Sequence, residues 1–212
     1  MLATSIIIVS AYLWGAIPTS FLVAHWLRNI DLRNYGSGNV GASNVMRHVS
    51  LQVGLCVGVV DCVVKGTAPI LLTRLLGHGV GVQVVVGLST VAGHNWSPYL
   101  RFTGGRGVAT GVGVLMGFLM WKEMLILSLT MGIIGKLVVN DSGLWTFISL
   151  LALPVLVWFF HGNSELLYMS IVLGVLILMK RLTSNWESTP LRGNMLGVLT
   201  TRIICDRDIL SR

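Results

Sequence analysis

The stretch Ser50–Leu75, SLQVGLCVGVVDCVVKGTAPILLTRL, decides the fold. A helix rises ~1.5 Å per residue, so a bilayer core of ~30 Å takes about 20 mostly apolar residues. This run has that length, and only Asp61, Lys65 and Arg74 carry charge within it. Asp61 and Lys65 lie four residues apart and so share a helix face. Charges at that depth are costly and turn toward the bundle interior or a wet cavity. A structural ion pair and a site-lining role both remain open, and either directs this face inward.

Working outward, Ser5–Leu27 and Val80–Pro98 read as further spans. Val108–Val139 is interrupted at Trp121-Lys122-Glu123 and reads as two short helices joined by a tight turn there. Gly143–Phe160 and Leu166–Arg181 flank the polar turn His161–Glu165 and bring the total to about seven transmembrane helices. The alternation of a membrane barrel is absent. The predicted fold class is an all-α integral membrane protein forming one polytopic domain over residues 1–212.

Composition agrees. Hydrophobic residues make up 54% of the 212-residue chain and charged residues 11%, with mean hydropathy +0.80; soluble domains carry about 25% charged residues. Disordered, collagenous and low-complexity classes are excluded. The apolar stretch at the N-terminus continues through Trp26 without a basic lead, which favours a retained first span over a signal peptide. Cys56, Cys62 and Cys205 form no zinc spacing and no disulfide framework, and Cys56 and Cys62 read as small buried hydrophobes. No metal and no cofactor is expected.

The net charge of +7 would raise nucleic acid as a partner in a soluble protein. Here the cations lie between apolar runs and report topology, so no nucleic acid is expected. With the N-terminus outside, twelve of the fifteen cations share the side that holds Arg28, Arg33, Arg47, Arg101 and Arg106, leaving Arg74 and Lys122 opposite. The C-terminus is then cytoplasmic, and Arg28–Val49, Tyr99–Gly107 and the tail from Leu182 gather on one face.

Two of those segments carry chemistry. Tyr35–Arg47 reads YGSGNVGASNVMR: Gly36, Gly38 and Gly41 let backbone amides converge, as a phosphate-binding nest requires. Ser37, Asn39, Ser43 and Asn44 add neutral donors, and Arg47 adds a bidentate cation. Gly93–Thr110 reads GHNWSPYLRFTGGRGVAT, with Arg106 flanked by Gly104, Gly105 and Gly107 just before an apolar helix. A helix N-terminus attracts anions. Residue types alone leave two readings open, a double anion cradle or polar loops with ordinary helix caps; His94 is equally a helix-end histidine.

These motifs, together with Ile17-Pro18 and Asp61–Gly66, resemble the bacterial acyl-phosphate:glycerol-3-phosphate acyltransferase (PlsY) family of seven-helix membrane enzymes. The resemblance covers nearly the whole chain. It implies Ser37, Arg47, Arg106 and Asn185 as catalytic residues. It implies substrate binding by Gly38, Asn39, Gly41, Ser43, Asn44, Asp61, Lys65, His94, Gly104, Gly105, Gly107, Thr110 and Ser142. Arg106 stands where the family usually has lysine, trading a point charge for a planar fork. In the third motif, Arg-His-x-x-Asn in the family, Leu182 replaces the histidine between Arg181 and Asn185.

The implied partners are acyl phosphate, glycerol 3-phosphate and membrane lipid, in a bacterial inner membrane. An acyl phosphate is a mixed anhydride with a good leaving group, so an alcohol can attack it without a covalent acyl-enzyme. Holding two phosphates and one hydroxyl in line is most of the task. The leaving phosphate or the acceptor's phosphate takes the proton. Gly111, Gly113 and Gly117 either open an apolar slot for the acyl chain or simply pack helices. The tail Arg192–Arg212 reads as a helix on anionic headgroups or as a loose basic tail. Two rivals remain: a divergent paralogue with another acceptor or weak activity, favoured by Leu182, and a transporter, disfavoured because no inverted repeat is visible.

Overall fold

The structure is a computed structural model that describes residues 2–130, 141–184 and 195–206; Asn185 and both ends of the basic tail lie outside them. The described residues are helical, with one isolated bridge between Ser97 and Thr103. The chain divides into two compact units, 1–119 and 120–212.

In the first unit, α1 (Leu2–Gly15) and α2 (Thr19–Arg28) are two pieces of one span. Pro18 has no amide to continue the ladder and its ring would strike the carbonyl four residues back, so the helix breaks at Ala16-Ile17-Pro18. The short α3 (Ala42–His48) leads into α4 (Leu51–Val59), a π-helical segment (Val60–Thr67) and α5 (Ala68–Leu75). Wider π winding frees carbonyls from the usual ladder, and other elements claim them: Trp14 Nε1 donates to Val64 O at 2.9 Å. Next come α6 (Val80–Asn95) and α7 (Val108–Gly117).

Glycines set the crossings. A methyl on Gly93 would strike Tyr12 O of α1, and one on Gly113 would strike Cys62 O of the π segment; one on Gly117 would come 2.9 Å from Ile70 Cδ1. Gly113 and Gly117 therefore pack helices, and of the two readings of this glycine-rich stretch the packing one holds. The turn after α7 falls at Phe118-Leu119-Met120, with Leu119 at φ 58°, so Trp121-Lys122-Glu123 form the first turn of the next helix and not the connection. Cys56 also departs from expectation. It is exposed and Cys62 is half-buried, because the outer face of a membrane helix is itself apolar.

The second unit holds α8 (Trp121–Leu129), α9 (Ser142–His161), α10 (Ser164–Thr183) and α11 (Met195–Cys205). Asp141 caps α9 by accepting from Gly143 N and Leu144 N, and Gly162, at φ 57°, ends it. Asn163 then caps α10 by accepting from Leu166 N. Glu123, 1% exposed, meets His161 Nε2 at 2.8 Å.

Among the described residues four helical stretches, Leu2–Arg28, Leu51–Leu75, Ser142–His161 and Ser164–Thr183, are long and apolar enough to span a membrane. Their outward faces are apolar: Leu72 is 61% exposed, Val155 68% and Phe159 79%. Such continuous apolar exteriors belong in lipid. The chain is an all-α integral membrane protein.

Candidate active site

The break in the first span fixes the site. Thr19, first residue of α2, donates from Oγ1 to Asp61 Oδ1 at 2.8 Å and accepts from Lys65 Nζ at 3.0 Å. Lys65 Nζ lies 2.7 Å from the same carboxylate oxygen. Both charges are at most 3% exposed. Of the two readings of Asp61 and Lys65, neither is discarded: they are a buried pair, and Lys65 also lines a crevice. His94 Nδ1 is 3.9 Å from Asp61 Oδ1, too far for a hydrogen bond. A methyl on Gly105 would collide with His94 Nε2, so the second glycine loop lies directly on that ring.

The crevice is lined by Ala16–Ser20, Val40, Lys65, His94, Ser97, Leu100, Gly104 and Gly105. It is narrow (≈ 10 Å³), with room for about one water molecule. Val40 belongs to the first glycine loop and Gly104 and Gly105 to the second, so the two loops meet at one place. Ile17, Pro18 and Leu100 also line a groove of ≈ 380 Å³ that continues along Phe21, Leu22 and Tyr99. The narrow crevice and the apolar groove therefore adjoin at the helix break.

Each loop is braced from within. Gly36 and Gly38 adopt φ of 57° and 64°, and Asn44 Nδ2 donates to Leu32 O, Tyr35 O and Asn39 O at 2.9–3.2 Å. Asn44 is buried and Asn39 nearly so, while Ser37, Gly38 and Ser43 retain exposure and Arg47 projects outward. Upstream, the Arg33 guanidinium at 2.6 Å holds the Asp31 carboxyl below the usual carboxylate range. In the second loop Gly105 N donates to His94 O at 3.0 Å, and Gly107, at φ 74°, starts α7 against Asn95. Arg106 is half-buried and Thr110 fully buried.

Some expected site residues are not gathered here. Of the expected residues, Lys65, His94, Gly104 and Gly105 line the crevice, whereas Ser37, Gly38, Asn39, Gly41, Ser43, Asn44, Arg47, Asp61, Arg106, Gly107 and Thr110 do not. Ser142 is an exposed residue at the start of α9 in the second unit, and Asn185 lies outside the described residues. Conversely, Thr19, Ser20, Ser97 and Leu100 line the crevice and carried no site expectation. The signal for the first two was present: a proline within an apolar span followed at once by two hydroxyl residues.

The third motif contributes a different part. Arg181, 1% exposed, donates from Nη1 to Ile203 O and Ile204 O and from Nη2 to Gly143 O. A cation at the C-terminus of α11 satisfies carbonyls that the helix leaves unpaired, and the same group ties that helix to α9. Arg181→Ala is expected to cost about 3 kcal/mol, with α11 released first. Hydrogen exchange over 195–205 should accelerate while α10 stays protected; uniform protection would contradict this role.

Fold and site together define an integral membrane protein with a narrow recess, lined by two glycine loops and a buried lysine, at a break in its first helix. The sequence profile of the glycerol-3-phosphate acyltransferase family matches residues 5–188. Glycerol-3-phosphate acyltransferase 4 of Dehalococcoides mccartyi is 40% identical, over 98% of this chain and 90% of that protein. Two crystal structures of PlsY, described as an integral membrane glycerol 3-phosphate acyltransferase, are similar. The glycerol 3-phosphate form superposes with TM-score 0.76 at 31% identity, over 85% of this chain and 89% of that one. The lysophosphatidic acid form gives 0.70 at 26% identity, over 94% and 93%. The chain belongs to the glycerol-3-phosphate acyltransferase family.

Proposed function

We propose that this protein transfers a fatty acyl group from acyl phosphate to the hydroxyl of glycerol 3-phosphate, releasing lysophosphatidic acid and inorganic phosphate. The observation that carries this reading is the junction of two glycine loops and a buried lysine with an apolar groove. A substrate with its aliphatic end in that groove and its anionic end against the solvent-accessible residues of the first loop, Ser37, Gly38, Ser43 and Arg47, fits this arrangement. The acyl chain lies along Ile17, Phe21, Leu22 and Tyr99, open to the bilayer, so the lipid product leaves sideways.

Both phosphates sit at the loops, held by backbone amides, Ser37, Arg47 and Arg106. Asn39, Gly41, Asn44, Gly104 and Gly107 shape the cradle, with Thr110 behind it. The acceptor oxygen attacks the carbonyl carbon, the carbonyl electron pair moves to oxygen, and its return expels phosphate. A substrate phosphate takes the hydroxyl proton, because Asp61 is occupied by Lys65 and Thr19 and stands too far from His94 to orient it as a base. The chain crosses the bacterial inner membrane about seven times, N-terminus outside, with the loops at the cytoplasmic surface.

The test is purified protein in liposomes with labelled glycerol 3-phosphate and either acyl phosphate or an acyl thioester. Lysophosphatidic acid should form from acyl phosphate; formation from the thioester alone would overturn the donor assignment. Arg47→Ala and Arg106→Ala should each lower kcat/KM for glycerol 3-phosphate about 30-fold, the loss of one charge-assisted contact of ~2 kcal/mol. Unchanged turnover in both would refute the paired cradle.

A further inference from the structure

The crevice contains a polar group that nothing above uses. Ser20 is 1% exposed, lines the crevice, and its Oγ has no hydrogen-bond partner. A buried hydroxyl left unpaired costs about 1–3 kcal/mol, so an empty hydroxyl at this position calls for an acceptor. Ser20 is also in the first turn of the ten-residue α2, whose N-terminus opens at Pro18 without a side-chain cap. Thr19 N bonds Ile17 O and Leu22 N bonds Pro18 O, leaving the amides of Ser20 and Phe21 without a carbonyl acceptor among the described residues. Helix N-termini attract negative charge.

Size decides what enters. Room for about one water molecule admits a single oxygen atom and excludes a phosphate group. Position points the same way. The apolar groove and the crevice share Ile17, Pro18 and Leu100, and in an acyl phosphate the carbonyl is what separates the chain from the phosphate. With the chain in the groove and the phosphates at the loops, the carbonyl oxygen falls at the first turn of α2. Lys65 lines the crevice, and its ammonium and the Asp61 carboxylate, 2.7 Å apart, offset each other, so the N-terminus of α2 supplies the positive field.

We propose that the first turn of α2 is the oxyanion site of the transfer step, with Ser20 Oγ–H and the amides of Ser20 and Phe21 receiving the carbonyl oxygen of the acyl donor. When the acceptor hydroxyl oxygen bonds to the carbonyl carbon, the π pair moves onto that oxygen and the three donors stabilise it. The pair then reforms the carbonyl and the bond to phosphate breaks, the phosphate leaving with its electrons while the hydroxyl proton passes to phosphate. Ser20 is a catalytic residue in this scheme, because it touches a reacting atom. The inference rests on the acyl-phosphate donor proposed above.

Removing one oxyanion donor costs about 10²–10³-fold in kcat in other acyl-transfer sites. Ser20→Ala is therefore expected to lower kcat with acyl phosphate about 100-fold while KM and calorimetric binding of glycerol 3-phosphate stay within about threefold. Ser20→Cys, nearly isosteric with a weak donor, should be similarly slow, and it decides the matter if the alanine variant does not fold. If the wild type turns over and both folded variants keep kcat within twofold, the oxyanion role is wrong while the donor assignment stands. A raised KM at unchanged kcat also overturns it, since that marks a ground-state contact. If the wild type itself makes no product from acyl phosphate, the donor assignment fails and this inference falls with it.

Discussion

Asp61→Ala should destabilise the protein by about 3–5 kcal/mol and abolish turnover. The magnitude follows from leaving one member of a buried pair uncompensated. Lys65 is 3% exposed, and its ammonium is held at 2.7 Å by Asp61 and at 3.0 Å by Thr19. Without the carboxylate, that charge has only a hydroxyl for company at the centre of the first unit. Thr19 loses its acceptor as well, and Thr19 fixes the start of α2 at the helix break. The double variant Asp61→Leu with Lys65→Met separates structure from chemistry. Replacing a whole buried pair by apolar groups is often close to neutral, so unfolding in detergent should return to within about 1–2 kcal/mol of wild type. Turnover should not recover, because Lys65 lines the crevice. A double variant that regains activity would show the pair to be scaffolding alone.

The parts of this arrangement that could be read in advance are those with a strong local cause. Span lengths follow from apolar runs and the bilayer thickness, so Leu51–Leu75 and Ser164–Thr183 lie within a few residues of expectation. The glycine loops were visible because Gly36, Gly38 and Gly107 take φ values that other residues rarely adopt. The inward face bearing Asp61 and Lys65 followed from the cost of charge in lipid. What was hidden depends on partners distant in sequence. Nothing local to Asn44 says that its amide closes a loop on three carbonyls, and nothing local to Ser97 says that its hydroxyl donates to Ala16 O, 81 residues away. The π segment is likewise a tertiary outcome, since the carbonyl it frees at Val64 is met by Trp14 from another helix. Burial in lipid also inverted one expectation. Cys56, apolar enough for a core, faces outward because the surroundings are as apolar as the interior.

Gly113→Ala should prevent α7 from seating and cost at least about 3 kcal/mol, with activity lost in proportion to displacement of the second glycine loop. Overpacking usually costs ~1–3 kcal/mol because side chains shift to relieve it. Here a methyl would strike Cys62 O and come 2.9 Å from Gly66 Cα, both backbone atoms of the π segment, so no rotamer change can make room. The crossing must widen instead. Gly66 lies against Thr110 O on the other side of the same contact, and Thr110 is three residues past the Gly107 that starts α7. Lys65 adjoins Gly66, so the distance between the lysine and the Gly104–Gly107 turn is set by this approach. Gly79→Ala is the matched control: nothing lies within 4 Å of its added methyl and its φ is −65°. Gly79 caps α6, so alanine there should cost at most about 1 kcal/mol and leave turnover unchanged. If both alanine variants keep wild-type turnover, the Gly66–Gly113 contact does not hold the loop in register. If Gly113→Ala alone fails while retaining helix content, the approach of two helix backbones sets the spacing between the buried cation and the anion-binding turn.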